Sequence, residues 1–476
     1  MSNHHIIIIE LYLSVIEVDK LLAFAKLKYY ALNNILWTLF YSGCGIPYFF
    51  SEKEREHINK ISSDEDKELL ENLMPLHCIY KEAKAGFSEA PSSIVNPGKY
   101  IWDFNSFKKE ITVSSQVFAI TSMISLLNQQ PTTEAKDFII RRQIKNFIEF
   151  LTGYLRNKDG LFVDAEDKTK FIGDNLKLKQ NSKEFDFLDQ VLVFEAFMAY
   201  KETLKENSEK EKMYKLDGEK IFKFLYENFN LALELTTRNL SLIISSLYRA
   251  SKYIKDEEIL TSICELIALG CAEIESRIKI TGEIEKSPNN FLPASLITHF
   301  RAASALLEGY LITKIEKFKI SAERILNMLL ETFNETLGIF AIEDEVKYSI
   351  RDAAEVIKCL YTYFLIKKDD KLLDIIDLFI SNTIDKLVQS TVERKVNIDG
   401  LDIEINENIP IFSEVNLAPV FLKSIKISNN LIPLSEVSKK VDNQFSIYAS
   451  SIFINLHYLG DTNNGREEDD QHQLLG

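Results

Sequence analysis

Four carboxylates lie near the beginnings of strongly apolar segments, where charged side chains are unusual. Asp189 and Glu195 belong to FLDQVLVFEAFMAY, and Asp352 and Glu355 belong to IRDAAEVIKCLYTYFL. Acid–base catalysis by carboxyl groups needs one group that stays protonated and one that stays ionised, and burial can raise the pKa of the proton donor. We therefore expect the catalytic groups to be among Glu355, Asp189, Asp352 and Glu195.

Helix capping offers a structural alternative for some acids of these segments. Asp186 directly precedes an apolar helical segment and occupies an N-cap position. Residues Ser349 to Asp352 have the S-x-x-D form of a capping box. Capping is the favoured interpretation for Asp186 and Asp352. Glu355 and Glu195 lie beyond the caps, so a charge buried at either position needs a partner or a function.

A second group of polar and aromatic residues falls near the same helix beginnings and is predicted to contact a substrate. This group consists of Trp102, His299, Arg301, Tyr348, Asn290 and Glu414. A lone His in an apolar helix such as SLITHFRAASALLEGY more often forms a hydrogen bond in the core than binds a ligand. Arg301 in the same helix either clamps a carboxylate or phosphate group or pairs with an acid of a neighbouring helix, and pairing is favoured.

Charge and composition exclude several classes of function. The formal net charge is 56 − 71 = −15 and no basic stripe with interleaved aromatics occurs, so nucleic-acid binding is not expected. Residues 29–51 carry no charge, but their Asn, Ser, Gly and Pro favour a buried helix over a membrane span. The five Cys form no CxxC and are expected to be buried thiols in a reducing compartment. No zinc, P-loop or dinucleotide pattern occurs, so neither a metal nor a cofactor is expected.

Beyond residue 102 the sequence alternates between two kinds of helical segment. The first kind is apolar on nearly all faces and must be buried on all sides. Its members are Ser114–Leu127, Phe187–Tyr200, Thr237–Tyr253, Ala294–Leu311, Ile350–Leu365 and Ser413–Ile427. The second kind has one apolar stripe, and its members lie at 138–155, 212–229, 257–275, 317–333, 370–388 and 443–458. Six buried helices alternating with six half-buried ones predict an inner ring inside an outer ring.

A glycine turn recurs before the apolar helices. The turns contain Gly160, Gly282, Gly338 and Gly400, and a degenerate copy without glycine lies at 228–231. The spacings are 338 − 282 = 56 and 400 − 338 = 62, while 282 − 160 = 122 spans two units. Such a period in a helical chain indicates a repeat architecture. Each glycine is predicted to take the left-handed conformation that ends an outer helix.

The period and the G-x-F turn at Gly338 to Phe340 resemble those of the (α/α)6 toroid proteins, the six-hairpin glycosidase-like and epimerase-like group. The resemblance covers residues 102–459 and implies an all-α fold with its active cleft at one end of the ring. All inner helices are expected to begin at that end, so their polar first residues would converge on one mouth. Terpenoid cyclases share the shape, but their DDxxD and DxDD motifs are absent.

These features predict three segments and one main function. Residues 1–100 form a helical lead-in or cap, 101–460 the (α/α)6 toroid, and 461–476 a disordered acidic tail. The predicted function is that of a cytoplasmic glycoside hydrolase or sugar epimerase whose carboxylate-lined cleft binds a sugar. The alternative, favoured by scarce Trp and His, is a non-catalytic toroid that binds a protein or peptide. A terpenoid or lipid binder is a weaker option, and nothing in the sequence indicates an oligomeric state.

Overall fold

The computed structural model describes most of the chain between residues 22 and 456. The described residues are 22–66, 70, 73–83, 87–89, 100–102, 107–129, 133–169, 176–181, 185–388, 395–398, 401–404, 421–428, 434–438 and 440–456. Helices dominate this part of the chain, and the strands are short.

Twelve of the described helices form two concentric layers. The outer layer consists of α1 (22–36), α3 (Glu134–Tyr154), α5 (Glu209–Glu227), α7 (Glu257–Ser276), α9 (Glu316–Leu330) and α11 (Lys371–Asn382). The inner ring consists of α2 (Val113–Gln129), α4 (Phe187–Glu202), α6 (Thr237–Ser251), α8 (Leu296–Thr313), α10 (Ile350–Lys367) and α12 (Asn443–Phe453). Each inner helix packs on the next, and α12 packs on α2, so the ring is closed. The protein has the all-α (α/α)6 toroid fold that its repeat predicts.

The distribution of apolar residues explains which helices lie inside. In α4, twelve of sixteen residues are buried, because apolar side chains surround the whole helix. In α5 the buried residues form one stripe, and they are Tyr214, Gly218, Ile221, Phe222 and Leu225. Their spacing of three and four residues places them on a single helical face. The outer helices therefore cover the inner ring with one face and meet solvent with the other.

The N-terminal helix α1 supplies the outer layer beside the last inner helix. The Asn34 side-chain amide donates to Ser450 Oγ of α12 at 3.0 Å. Lys26 forms an ion pair with Asp385, which lies in the short helix after α11. A π-helical turn at Trp37–Tyr41 ends this segment. The predicted division of the chain near residue 100 stays a prediction.

Two helices predicted near the C-terminal end are wrong. The described part of Ser413–Ile427 ends in the strand Ser424–Ser428, which pairs with Glu345–Ser349. Apolar content alone does not distinguish a buried strand from a buried helix, and pairing with a distant strand decides the matter. The segment predicted as an outer helix at 443–458 forms the inner helix α12, where eight of eleven residues are buried. Its buried residues include Asn443, Gln444, Ser446 and Ser450, polar types that a sequence pattern assigns to the solvent side of a helix.

Short antiparallel strands gather where the chain enters the inner helices. The pairs and triplets are Gly45–Pro47 with Leu76–Ile79, Glu82–Ala83 with Val441–Asp442, Phe87–Glu89 with Tyr100–Trp102, Glu110–Ile111 with Ala165–Asp167 and Leu178–Gln180, Glu285–Ser287 with Asn290–Pro293, Phe333–Asn334 with Ile339–Phe340, Glu345–Ser349 with Ser424–Ser428 and Leu434–Val437, and Lys395–Ile398 with Leu401–Glu404. Short helices lie at Glu52–Ile61, Asp64–Asp66, Asn230–Leu233 and Ile384–Leu387. The links at the opposite end of the ring are short, as at 314–315 between α8 and α9. Long loops at one end only make that end the place for a binding site.

Three predicted turn glycines have the left-handed backbone that the repeat requires. Gly160, Gly282 and Gly338 have φ values of 82°, 91° and 61°. Gly400 lies outside the described residues. The degenerate copy at 228–231 leads into the short helix Asn230–Leu233. The left-handed conformation is thus confirmed at three positions. The prediction that these glycines end the outer helices is wrong, because α3, α7 and α9 end at Tyr154, Ser276 and Leu330, six to eight residues before them.

The charge-free N-terminal segment is helical and largely buried up to Tyr41, as predicted, and then continues into the strand Gly45–Pro47. Within the part of the chain that the structure describes, no helix combines the length and the apolar character needed to cross a bilayer. Cys44, Cys78, Cys271 and Cys359 are buried, and Cys264 is half-buried. Four of the five thus occupy the buried positions that the sequence predicts for them.

Candidate functional site

A cleft of about 970 Å³ opens at the N-terminal end of the inner ring. Its walls come from the beginnings of α6 and α8 and from the strand segments that lead into α8 and α10. Leu292 and Ile342 are exposed apolar residues in these walls, and Arg238 is a charged one. The cleft lies at the end of the ring where all inner helices begin.

Charged side chains continue from this end into the lumen of the ring. Arg238 Nη2 of α6 lies 3.4 Å from Asp352 Oδ1 of α10, although α8 separates these helices around the ring. Both side chains must therefore point into the lumen. Arg301, Glu355 and Tyr448 are each the sixth residue of α8, α10 and α12, and they contact one another around Glu355. The inner helices run parallel and begin at the same end of the ring, so residues at the same position in each helix lie at the same depth and can contact one another.

Glu355 is buried and held by several partners. Arg301 Nε lies 2.9 Å from Glu355 Oε1, and both side chains are 3% exposed. Tyr448 donates its hydroxyl hydrogen bond to the same oxygen at 2.5 Å. Burial alone would raise the pKa of Glu355, but Arg301, Lys358 and the Tyr448 hydroxyl outweigh it and hold the pKa below its ordinary value. Glu355 is therefore a buried carboxylate that stays ionised at neutral pH.

Glu195 and Glu308 lie deeper in the lumen and also have cationic partners. Arg249 donates two hydrogen bonds to Glu195, of 2.7 and 2.8 Å, and Ser246 donates a third of 2.6 Å. Lys358 Nζ lies 2.8 Å from Glu308 Oε1. A bidentate arginine contact fixes both the charge and the orientation of a carboxylate. In this structure Glu195 is the counter-ion of Arg249.

Asp352 forms the predicted capping box. Its backbone N–H donates to Ser349 Oγ at 3.1 Å, and its Oδ2 accepts from the Ser349 N–H at 3.2 Å. Asp186 likewise caps α4 by accepting from the Leu188 N–H at 2.9 Å. Capping and the contact with Arg238 together engage the Asp352 carboxylate.

Asp189 lies apart from the lumen. Helical geometry places it about 120° around α4 from Glu195, close to Asp164 and Asp186 at the beginnings of α2 and α4. Asp164 accepts from the Val113 N–H at 2.8 Å, whereas no hydrogen bond or ion pair joins Asp189 to another described residue. Desolvation, followed by the charges of Asp164 and Asp186, raises the pKa of Asp189 well above its ordinary value. No cluster of His, Cys, Asp and Glu among the described residues is arranged to hold a metal ion.

His299 and Tyr348 hold the segments that lead into α8 and α10. His299 lies in the cleft wall, but its Nε2 accepts from the Ile284 N–H at 3.0 Å, so Nδ1 carries the proton and donates to the Ser295 carbonyl at 3.0 Å. Desolvation lowers the pKa of His299, and the ring is neutral at neutral pH. Tyr348 is fully buried and donates to the Phe340 carbonyl. Both side chains have their hydrogen-bonding groups engaged within the protein.

Of the other three residues predicted to contact a substrate, two lie in paired strands and one lies outside the described chain. Asn290 accepts the Leu292 N–H at 3.1 Å within its hairpin. Trp102 belongs to the strand Tyr100–Trp102, which pairs with Phe87–Glu89. Glu414 lies outside the described residues. A substrate contact of these three residues stays a prediction.

Several residues of the lumen are missed by sequence reasoning. They are Arg249, Glu308, Arg351, Lys358 and Tyr448. The available signal is charge at helical spacing on an otherwise apolar helix, because positions 351, 355 and 358 share one face of α10. Tyr448 lacks that signal, since its segment is predicted to be an outer helix.

Comparison with known proteins identifies the fold class. D-mannose isomerase is similar at 9% identity with a TM-score of 0.53, over 86% of this chain and 99% of that chain. Two cellobiose 2-epimerases are each similar at 11% identity. The enzyme from Bacillus thermoamylovorans B4167 has a TM-score of 0.50, over 84% of this chain and 97% of that chain. The enzyme from Spirochaeta thermophila DSM 6192 has a TM-score of 0.51, over 79% of this chain and 89% of that chain. No protein-family model and no curated protein sequence matches the chain. At such identities the likeness shows the fold alone, which is the (α/α)6 toroid.

Proposed function

We propose that this protein is a carbohydrate-active enzyme of the sugar epimerase or isomerase type, with its site where the cleft meets the lumen. The similar solved structures include a mannose isomerase and cellobiose epimerases, which supports a sugar substrate. The observation that carries the proposal is Glu355, an ionised carboxylate buried among arginines. Glycoside hydrolysis is the other predicted activity. The charge of the lumen supports it less well.

The charge of the lumen distinguishes the two reactions. Glycoside hydrolysis passes through a positively charged, oxocarbenium-like transition state. Removal of a proton next to a carbonyl instead creates a negatively charged enediolate, which cations stabilise. Near the mouth, Arg238, Arg301 and Arg351 face two carboxylates, those of Asp352 and Glu355. Desolvation and repulsion from Arg301 lower the pKa of both Arg238 and Arg351, as expected of a group of cations in excess.

In the proposed reaction Glu355 is the base. It accepts the proton from the carbon next to the carbonyl of the open-chain sugar, and the electron pair moves to the carbonyl oxygen. The Arg301 guanidinium stabilises the oxygen anion so formed, and the Tyr448 hydroxyl orients the carboxylate. Return of the proton to the former carbonyl carbon, while the hydroxyl proton of the adjacent oxygen passes to the oxygen anion, gives the isomer. Return of the proton to the opposite face of the carbon that lost it, after rotation of the intermediate, gives the epimer.

Incubation of the protein with a panel of aldoses, ketoses and disaccharides in D₂O tests this reaction. Proton NMR is expected to show loss of the hydrogen next to the carbonyl as deuterium enters. Glu355→Gln is expected to slow the exchange by about 100-fold or more, because it removes the base. Glu316→Gln, at an exposed position on α9, is the matched control and is expected to exchange like the wild type. Cleavage of a disaccharide without deuterium exchange would instead identify a hydrolase.

A non-catalytic toroid is the second candidate, and one observation favours it. The four lumen carboxylates, Glu195, Glu308, Asp352 and Glu355, each have a cationic partner. A purely structural network would neutralise its buried charges in this way. If no sugar of the panel is exchanged or cleaved, and Glu355→Gln changes only the stability, the enzymatic proposal is wrong.

A further inference from the structure

Arg301 has hydrogen-bonding capacity that its protein partners leave unused. Its side chain is 3% exposed, and its contact with Glu355 runs through Nε. Its Nη2 is buried and has no hydrogen-bond partner among the described residues. A buried guanidinium donor without a partner is costly, so a ligand or solvent acceptor is expected at this position.

Arg351 lies one helical turn nearer to the mouth, on the same face of α10 as Glu355. Its guanidinium carbon lies 4.8 Å from the centroid of the Tyr448 ring and 5.5 Å from that of Phe445. Its Nε is buried without a hydrogen-bond partner, and none of the described carboxylates forms an ion pair with it. Stacking on aromatic rings holds a guanidinium flat and leaves its edge available to a planar or tetrahedral anion.

Arg238 extends this positive region into the cleft. Its side chain is 43% exposed, and its contact with Asp352 is a single one of 3.4 Å. Arg238 and Arg351 are the second residues of α6 and α10, where the helix N-termini add positive potential. The protein as a whole is acidic, with a net charge of −15, so these arginines are not part of a generally basic surface.

We propose that Arg238, Arg301 and Arg351 bind an anionic substituent of the substrate, which is therefore a sugar carrying a carboxylate or a phosphate group. The identification of the ligand as a sugar rests on the function proposed above. Guanidinium groups recognise both anions by paired charge-assisted hydrogen bonds. A neutral sugar has no group that would neutralise the excess positive charge next to Asp352 and Glu355.

Isothermal titration calorimetry with glucose, glucuronate, glucose 6-phosphate and inorganic phosphate tests the proposal. At least one anionic sugar is expected to bind about tenfold or more tightly than glucose, the gain of one charge-assisted contact. Arg351→Gln is expected to remove this preference, so that the ratio of the affinities for the anionic sugar and for glucose falls towards one. Arg141→Gln makes the same charge change at an exposed position of α3 and is expected to bind like the wild type. Arg238→Gln, at a partly exposed position, provides a second variant should Arg351→Gln not fold.

The outcomes separate this inference from the proposed function. Equal affinity of the wild type for glucose and both anionic sugars would overturn the anion site and leave the sugar chemistry standing. Phosphate binding that Arg351→Gln abolishes, without binding of any sugar, would support the anion site and contradict the sugar chemistry. A preference for glucuronate over glucose 6-phosphate identifies a carboxylate as the anion, and the reverse identifies a phosphate.

Discussion

Of the four carboxylates predicted to be catalytic, Asp189 is the one without a cationic partner among the described residues. Glu195, Asp352 and Glu355 each contact a cation, whereas the nearest charges to Asp189 are the carboxyls of Asp164 and Asp186. Desolvation and these like charges favour the protonated form. The folded protein therefore holds the Asp189 proton more tightly than the unfolded chain does, and ionisation of Asp189 favours unfolding.

Asp189→Asn is accordingly expected to stabilise the protein at about pH 7. A raised pKa stabilises the folded protein fully at pH values below the pKa of the unfolded chain, here 3.8. This stabilisation is lost as the pH rises through the higher pKa of the folded protein. The asparagine variant has no such loss, so its urea midpoint should exceed that of the wild type at about pH 7 and approach it at about pH 3. Asp137→Asn, on α3 in an exposed ion pair with Arg141, is the control and should show no such gain. Equal midpoints at both pH values would contradict the described environment of Asp189.

At the scale of structural elements, the glycine turns lie where the chain passes from an outer helix to the next inner helix. Gly338 has a φ of 61° and lies between the strands Phe333–Asn334 and Ile339–Phe340. A Cβ at this position would lie 2.8 Å from the Leu378 carbonyl oxygen and 2.5 Å from Asn382 Nδ2 of α11. Both the backbone conformation and the close approach of α11 thus require glycine.

Gly338→Ala is expected to lower the free energy of unfolding by more than the left-handed penalty of about 1–2 kcal/mol, because the contact with the Leu378 carbonyl adds to it. Gly153→Ala is the matched control, since it lies in α3 with no atom within 4 Å of an added Cβ. The control is expected to gain about 0.5–1 kcal/mol from a better helix former. Denaturant unfolding measures both variants, and an unchanged midpoint for Gly338→Ala would contradict the close packing of this turn.

For the molecule as a whole, closure of the outer layer depends on two distant parts of the chain. The N-terminal helix α1 packs beside α12, joined by the Asn34–Ser450 hydrogen bond, and the Lys26–Asp385 ion pair ties it to the segment after α11. Leu27 is fully buried in this helix. Without α1, apolar surface of the inner ring would be open to water.

A chain that begins at residue 42 is therefore expected to lose its cooperative unfolding transition or to melt at least about 10 °C lower, since it loses many buried contacts at once. Circular dichroism melting measures this change. A chain that ends at residue 460 is the control, because it lacks only the acidic segment predicted to be disordered, and it should keep the Tm of the full chain. A full-length Tm in the chain without α1 would show that the ring is stable without this helix.

The sequence alone determined those features that depend on neighbouring residues. Apolar periodicity defined five of the inner helices, S-x-x-D defined the cap at Ser349, and glycines marked three turns, because each feature depends on contacts within one or two helical turns. The carboxylate Glu355 was found for the same reason, as a charge without a cap on an apolar helix.

Only the tertiary structure decided which distant segments meet. The apolar run before Ile427 ends in a strand because Glu345–Ser349 pairs with it. The ring is closed by α12 and covered there by α1, and Arg238 reaches Asp352 past an intervening helix. These contacts join residues far apart in the chain, so no local pattern encodes them. The same long-range contacts divide the four predicted carboxylates into two groups. Glu195, Asp352 and Glu355 pair with cations in the lumen, whereas Asp189 lies beside other carboxyls and has a raised pKa.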